Sequence, residues 1–218
     1  MNILTVSLMM ACNRDCYYCP TKNWHSDDVG VNIITAAALF KWVKKYIPPV
    51  EWTMEFTGGE PAMHPEITRI ITVLSNAGYH GVIKTNGSLF IPKTGNFIRA
   101  AAWHEDADFP KHYDQILIIR NPNDDWQAKV DYCKQNNITY KTSIFDEYYL
   151  TRQPIMSAKQ NKCDRYCHIN SNGQITACNK DPVKEDINIF NMSAPVFKNV
   201  KKECPTCKNI SDVEMFVS

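Results

Sequence analysis

Apolar positions recur along the first two thirds of the chain with two alternating periods. Short runs rich in β-branched and apolar side chains predict strands at Ile3–Met10, Trp52–Phe56, Gly81–Thr85, Gln115–Arg120 and Ile138–Ile144. Between the first two strands Ala37, Phe40, Val43 and Ile47 fall at helical spacing, and Pro48-Pro49 ends a helix predicted over Ile33–Ile47. Ile67, Ile70, Ile71 and Leu74 mark a second helix, begun near Pro65 and closed by Gly78 at its C′ position. Trp126, Val130 and Cys133 share one face of a third, on which Cys133 reads as a core thiol.

Strand and helix in alternation are the mark of βα units on a parallel sheet. About 145 residues cannot build eight such units, so the fold expected for residues 1–149 is an open, partial (β/α) barrel of five to six parallel strands. Beyond Tyr149 helical periodicity fades while Asn, Lys and Cys rise, and Asn172-Gly173 between two short β runs predicts a type I′ hairpin. Residues 150–218 therefore read as a small second domain.

With 218 residues, 44% of them hydrophobic, the chain can bury one substantial core. Lys and Arg number 24 against 23 Asp and Glu, which excludes a strong overall field toward nucleic acid or membrane. No apolar run approaches the roughly 20 residues that span a bilayer. Leu8–Cys12 resembles the end of a lipoprotein signal, but none of the eleven residues before Cys12 is Lys or Arg, so a cytoplasmic protein is expected. Nine cysteines, an odd number at short intervals, favour metal ligation in a reducing compartment over a disulfide scaffold.

Cys12, Cys16 and Cys19 follow directly on the first predicted strand, at the carboxyl edge where α/β folds gather their chemistry. Three thiolates on one loop can grip three irons of a 4Fe-4S cube and leave the fourth open to a ligand. A zinc knuckle is the competing reading, with His25 as its fourth ligand. The loops after the next two strands, Thr57-Gly58-Gly59-Glu60-Pro61 and Thr85-Asn86-Gly87, belong on the same edge. Bare glycines admit close approach to the backbone, and a carboxylate can accept from an ammonium group.

Through CNRDCYYC, TGGEP and TNG, the stretch from about Leu4 to Asn121 closely resembles the core of radical S-adenosylmethionine (SAM) enzymes. The resemblance implies that Cys12, Cys16 and Cys19 bind the cluster and that SAM fills the open iron through its amino and carboxylate groups. It further implies that Gly58, Gly59 and Glu60 hold the methionine amine, with Tyr18 near the adenine and Asn86 near the ribose. In such enzymes an external one-electron donor of the flavodoxin or ferredoxin type reduces the cluster. SAM is then cleaved to a 5′-deoxyadenosyl radical that removes hydrogen from a substrate.

Cys163, Cys167, Cys178, Cys204 and Cys207 fill a segment with little hydrophobic periodicity, so metal is the expected source of its stability. From about Gln160 to Lys208 this segment resembles the SPASM and twitch auxiliary-cluster domains. Five cysteines imply one auxiliary 4Fe-4S cluster, best held by Cys163, Cys178, Cys204 and Cys207, with Cys167 as a replacement for Cys163 or a spare. Zinc on four of the five, with His168 in reserve, is the alternative, and two zinc sites would make a non-catalytic binding module. Substrates considered for the enzyme are a peptide, a nucleotide or nucleic-acid base, and an aminosugar; Lys198, Lys201, Lys202 and Lys208 would suit a phosphate or form a solvated face. Arg120, ending the apolar run Ile116–Ile119, is the expected substrate or SAM contact, together with Asn121, Asp124 and 145–149 after the strands. Trp103, His104, Glu105 and Asp106, which precede the strand at Gln115, are expected far from the chemistry.

Overall fold

Alternate residues of the first strand, Leu4, Val6 and Leu8, are fully buried, and they define the face on which the core is built. The computed structural model describes residues 2–16, 19, 34–104, 107–120, 124–144, 166–176 and 187–195. In chain order the elements are β1 (Asn2–Met9), α1 (Ala36–Tyr46), β2 (Trp52–Gly58), α2 (Ile67–Asn76), β3 (Gly81–Thr85) and β4 (Phe97–Ala102). They continue with β5 (Gln115–Arg120), α3 (Trp126–Gln135), β6 (Tyr140–Ile144), β7 (Tyr166–Ile169) and β8 (Ile175–Thr176).

All eight strands lie in one sheet, in the order β6-β5-β4-β3-β2-β1-β7-β8. Every neighbouring pair is parallel except β7 with β8. The linear order leaves both edges open, as expected of a partial barrel. β1 to β6 supply the six parallel strands, and β7 adds a seventh on the far side of β1.

Paired residues of parallel strands share a face. Leu4 and Val6 therefore align with Met54 and Phe56, then Ile83, then Phe97, and this face meets α1 and α2. Further along, Ile116 and Ile118 of the same face meet α3 through Val130 and Cys133. The three α-helices among the described residues thus cover one face. The other carries polar groups along its centre: Thr5, Ser7, Glu55, Lys84 and His168.

Local chemistry explains the helix that fixes the first crossover. Thr35 caps α1 by accepting from the Ala38 N–H at 3.2 Å, and Lys44 and Lys45 complement the dipole at its end. Trp42, fully buried, donates its Nε1–H to the Ser193 carbonyl at 2.7 Å. Tyr46 donates its hydroxyl to Met192 O. Together with Cys167, Ile169, Ile175 and Ile189 in the same core, these bonds make the described residues beyond 150 part of the sheet and core of the first 149.

Two features were not expected from the sequence. β4 was absent from the predicted strands because Phe97-Ile-Arg-Ala-Ala-Ala is half alanine, a helix former, and no helix precedes it. Ile91 fills the place of that helix, fully buried, and Arg99 of β4 donates to its carbonyl at 2.8 Å. Burial pushes the Asp114 carboxyl up, but hydrogen bonds from the Arg99 side chain and backbone and from Lys93 outweigh it and hold the group at about 2. The turn after β7 is also not type I′, since Gly173 has a positive φ of 76° and Asn172 does not. Instead the Asn170 side chain accepts from the N–H groups of Asn172 and Gln174, and Gly173 N–H closes on Asn170 O at 2.8 Å.

Candidate active site

Four loops leave the carboxyl edge side by side, after β1, β2, β3 and β4, and they are bonded to one another. The loop after β2 continues the pairing of its strand: Gly59 N–H donates to Met9 O at 2.7 Å and Glu60 N–H to Ala11 O at 2.8 Å. The two backbones run so close that a Cβ on Gly59 would stand 2.1 Å from Ala11 O, and one on Gly58 would stand 2.2 Å from Met9 O. Gly58 also has φ 124°, a backbone that side chains disfavour. The glycines thus serve first to dock the cysteine loop on its neighbour.

Glu60 is fully buried and joins the second loop to the third. Its carboxylate accepts from Thr85 Oγ1 at 2.6 Å, from Asn86 N–H at 2.6 Å and from Ala62 N–H at 2.8 Å. Burial raises its pKa, and these three donors with the Arg14 charge only partly offset that rise. Three of about four acceptor positions on the carboxylate are taken, which leaves room for one further donor.

Asn86 joins the third loop to the first. Its Nδ2 donates to Asn13 Oδ1 at 2.9 Å and lies 3.7 Å from Cys12 Sγ, while Ser88 accepts from Asn13 Nδ2 at 2.8 Å. The fourth loop completes the ring, because His104 Nδ1 lies 3.6 Å from Cys16 Sγ.

Cys12, Cys16 and Cys19 are half-buried thiols, none of them in a disulfide, and Cys19 N–H closes a turn on Cys16 O at 3.0 Å. Burial raises the Cys12 thiol; its bonds from the Arg14 backbone and Asn86 oppose this, and the Glu60 and Cys19 charges add to it. Such a thiol yields its proton readily only to a cation that replaces it. Among the described residues no three His, Cys, Asp or Glu side chains converge on the position of one ion. A 4Fe-4S cube would be gripped at separate corners, and the three free thiols, two of them beside N–H donors, are the donor set that this edge offers it.

His104 corrects an expectation. It was placed far from the chemistry because it precedes β5, but it also follows the unforeseen β4, which delivers it to the cysteines. Arg120 is the last residue of β5. It shares the face of Ile116 and Ile118, so it turns toward α3, where its guanidinium lies 5.8 Å from the Trp126 ring centre. Asp124 is held at 2.5 Å by Lys129 at the start of α3. Cys167 is fully buried in the core on the helix-covered face, aligned with Leu4. Tyr18, His25, Glu105, Asp106, Asn121, 145–149, Cys163, Cys178, Cys204, Cys207 and the four lysines lie outside the described residues.

The chain matches no family profile. Its structure is similar to Streptococcus suis SuiB bound to S-adenosylmethionine, with a TM-score of 0.62 and 14% identity over 87% of this chain and 63% of SuiB. It is also similar to BtrN in complex with AdoMet and 2-DOIA, with a TM-score of 0.51 and 15% identity over 88% of this chain and 79% of BtrN. The chain has the radical SAM fold. In sequence, 78 residues are 32% identical to 7-carboxy-7-deazaguanine synthase of Methanothermobacter thermautotrophicus, covering 36% of this chain and 30% of that protein. Among the described residues of this radical SAM fold, no helix is long and apolar enough to cross a membrane.

Glu60→Ala is expected to destabilise the protein by roughly 2–4 kcal/mol, because three buried donors lose their acceptor. Denaturant unfolding measures this, and stability equal to wild type would show that the carboxylate does not tie the loops together.

Proposed function

We propose that the protein is a radical SAM enzyme whose first cluster is held by Cys12, Cys16 and Cys19. The observation that carries this reading is the bonded ring of four loops, which brings three cysteines, two docking glycines and a buried carboxylate to one edge. When bound and reduced, the cluster supplies the electron that cleaves SAM to a 5′-deoxyadenosyl radical, which takes hydrogen from a substrate.

The chain's own part is binding and orientation. Glu60 offers its remaining acceptor position to the methionine amine, beside the backbone of Gly58 and Gly59. An ammonium there favours the ionised carboxylate that burial alone disfavours. Asn86, already beside Cys12, is placed for the ribose, and Tyr18 is assigned to the adenine. The face that the described helices leave uncovered offers Glu55 and Lys84, paired at 3.1 Å, and Ser7 with His168 at 3.0 Å as polar groups for a substrate. Cys163, Cys178, Cys204 and Cys207 are assigned to one auxiliary 4Fe-4S cluster, and a flavodoxin or ferredoxin to electron supply. For the substrate, SuiB is described with a precursor peptide, and the M. thermautotrophicus relative is a synthase of 7-carboxy-7-deazaguanine. A peptide and a nucleobase derivative are therefore the classes to test first.

The test is anaerobic incubation of the reconstituted protein with SAM, dithionite and members of both classes. Mass spectrometry should find 5′-deoxyadenosine, and its yield should rise with the true substrate. A protein replete in iron and sulfide that forms none would overturn the reading.

A further inference from the structure

The fourth loop carries a histidine that neither the cysteine motif nor the glycine motif accounts for. His104 is only 7% exposed, and its Nδ1 faces Cys16 Sγ at 3.6 Å, within reach of an N–H···S hydrogen bond. We propose that His104 is a positioning residue for the first cluster, donating its Nδ1–H to the Cys16 sulfur and raising the reduction potential of the site. This rests on the reading of Cys12, Cys16 and Cys19 as cluster ligands.

The placement is enforced by the backbone. Trp103 N–H donates to Leu117 O at 3.0 Å and so extends the β4–β5 pairing one residue past the strand. Lys129 Nζ donates to Trp103 O at 3.1 Å, and the Trp103 indole donates to Ala107 O at 3.2 Å. The same indole packs edge-on against Phe109 and Tyr132, with ring centres 5.1 and 5.5 Å away. A residue next to so constrained a tryptophan has little freedom, and its imidazole is delivered to the cysteine loop by the strand.

Chemistry fixes the direction of the bond. Sulfur bound to iron carries no proton and can only accept, so the tautomer must hold its hydrogen on Nδ1. Reduction adds negative charge to the cluster and its thiolates. A donor aimed at one sulfur stabilises the reduced state more than the oxidised one, and the shielding of His104 from water strengthens the effect. Asn86 provides the matching donor to Cys12, so two of the three sulfurs each meet an N–H from a different loop.

The experiment compares wild type, His104→Leu and His104→Gln, each the full chain reconstituted anaerobically. Iron and sulfide are counted, thermal melting is recorded, and the potential of the SAM-responsive signal is titrated by EPR. His104→Leu should lower the reduction equilibrium constant about tenfold, equivalent to about 59 mV for a one-electron couple. His104→Gln, which keeps an N–H donor, should recover most of the loss. His104→Met serves in place of the leucine variant if that protein does not fold. Equal potentials in variants with full cluster content would overturn the proposal and leave His104 a packing residue. A wild type without iron and sulfide would instead overturn the cluster reading on which it rests.

Discussion

Replacing Cys12, Cys16 and Cys19 together by alanine is expected to halve the iron content and reduce 5′-deoxyadenosine formation to background. The halving follows from the assignment of about eight irons to two 4Fe-4S clusters, one on each cysteine group. The three side chains are half-buried at a sheet edge and support no apolar core, so the variant should keep its secondary structure and most of its stability. Circular dichroism, iron and sulfide analysis and the SAM cleavage assay together separate loss of ligands from loss of fold. An unchanged iron count would show that the triplet does not hold iron, and residual cleavage at the wild-type rate would show that its iron is not the reactive one.

The second large effect is expected at Gly59. A methyl group there would stand 2.1 Å from Ala11 O and 2.6 Å from Met10 O, both backbone atoms that move only with the whole cysteine loop. Gly59→Ala should therefore cost about 3 kcal/mol or more and lower retention of the first cluster, because it separates the loops after β1 and β2. Gly78 provides the control. Its φ is 85° but nothing lies within 4 Å of its added Cβ, so Gly78→Ala should cost only about 1–2 kcal/mol, from backbone strain. Comparable losses in the two variants, or normal cluster retention in Gly59→Ala, would contradict the docking role.

What was legible in the sequence was what short-range pattern encodes. β3 and β5 were predicted at their observed bounds because each is a short apolar run set off by turn residues, and the loop of the cysteine triplet was placed after β1, where it lies. β4 was not legible: Ala100 and Ala101 lie buried between β3 and β5, a tertiary reason for small side chains with no periodic signal. That one strand accounts for the misplacement of His104, whose position relative to the sheet edge depends on counting strands. For Arg120 the strand pattern carries a second piece of information. Being last in a strand says which edge a residue is near, but parity with Ile116 and Ile118 decides the face, and parity turns it to α3. Parity likewise places Cys167, whose alignment with Leu4 puts it in the core. For Gly58, Gly59 and Glu60 the sequence indicated a ligand, whereas the structure shows that the same residues first bind the loops to each other.

Cys12, Cys16 and Cys19 are proposed to hold a cluster with one iron open to SAM. EPR spectroscopy of the anaerobically reduced protein, recorded with and without SAM, tests it most directly. The expected result is a 4Fe-4S signal that SAM changes and that the triple cysteine variant lacks. Stoichiometric zinc without labile sulfide, or a cluster signal indifferent to saturating SAM, would contradict it.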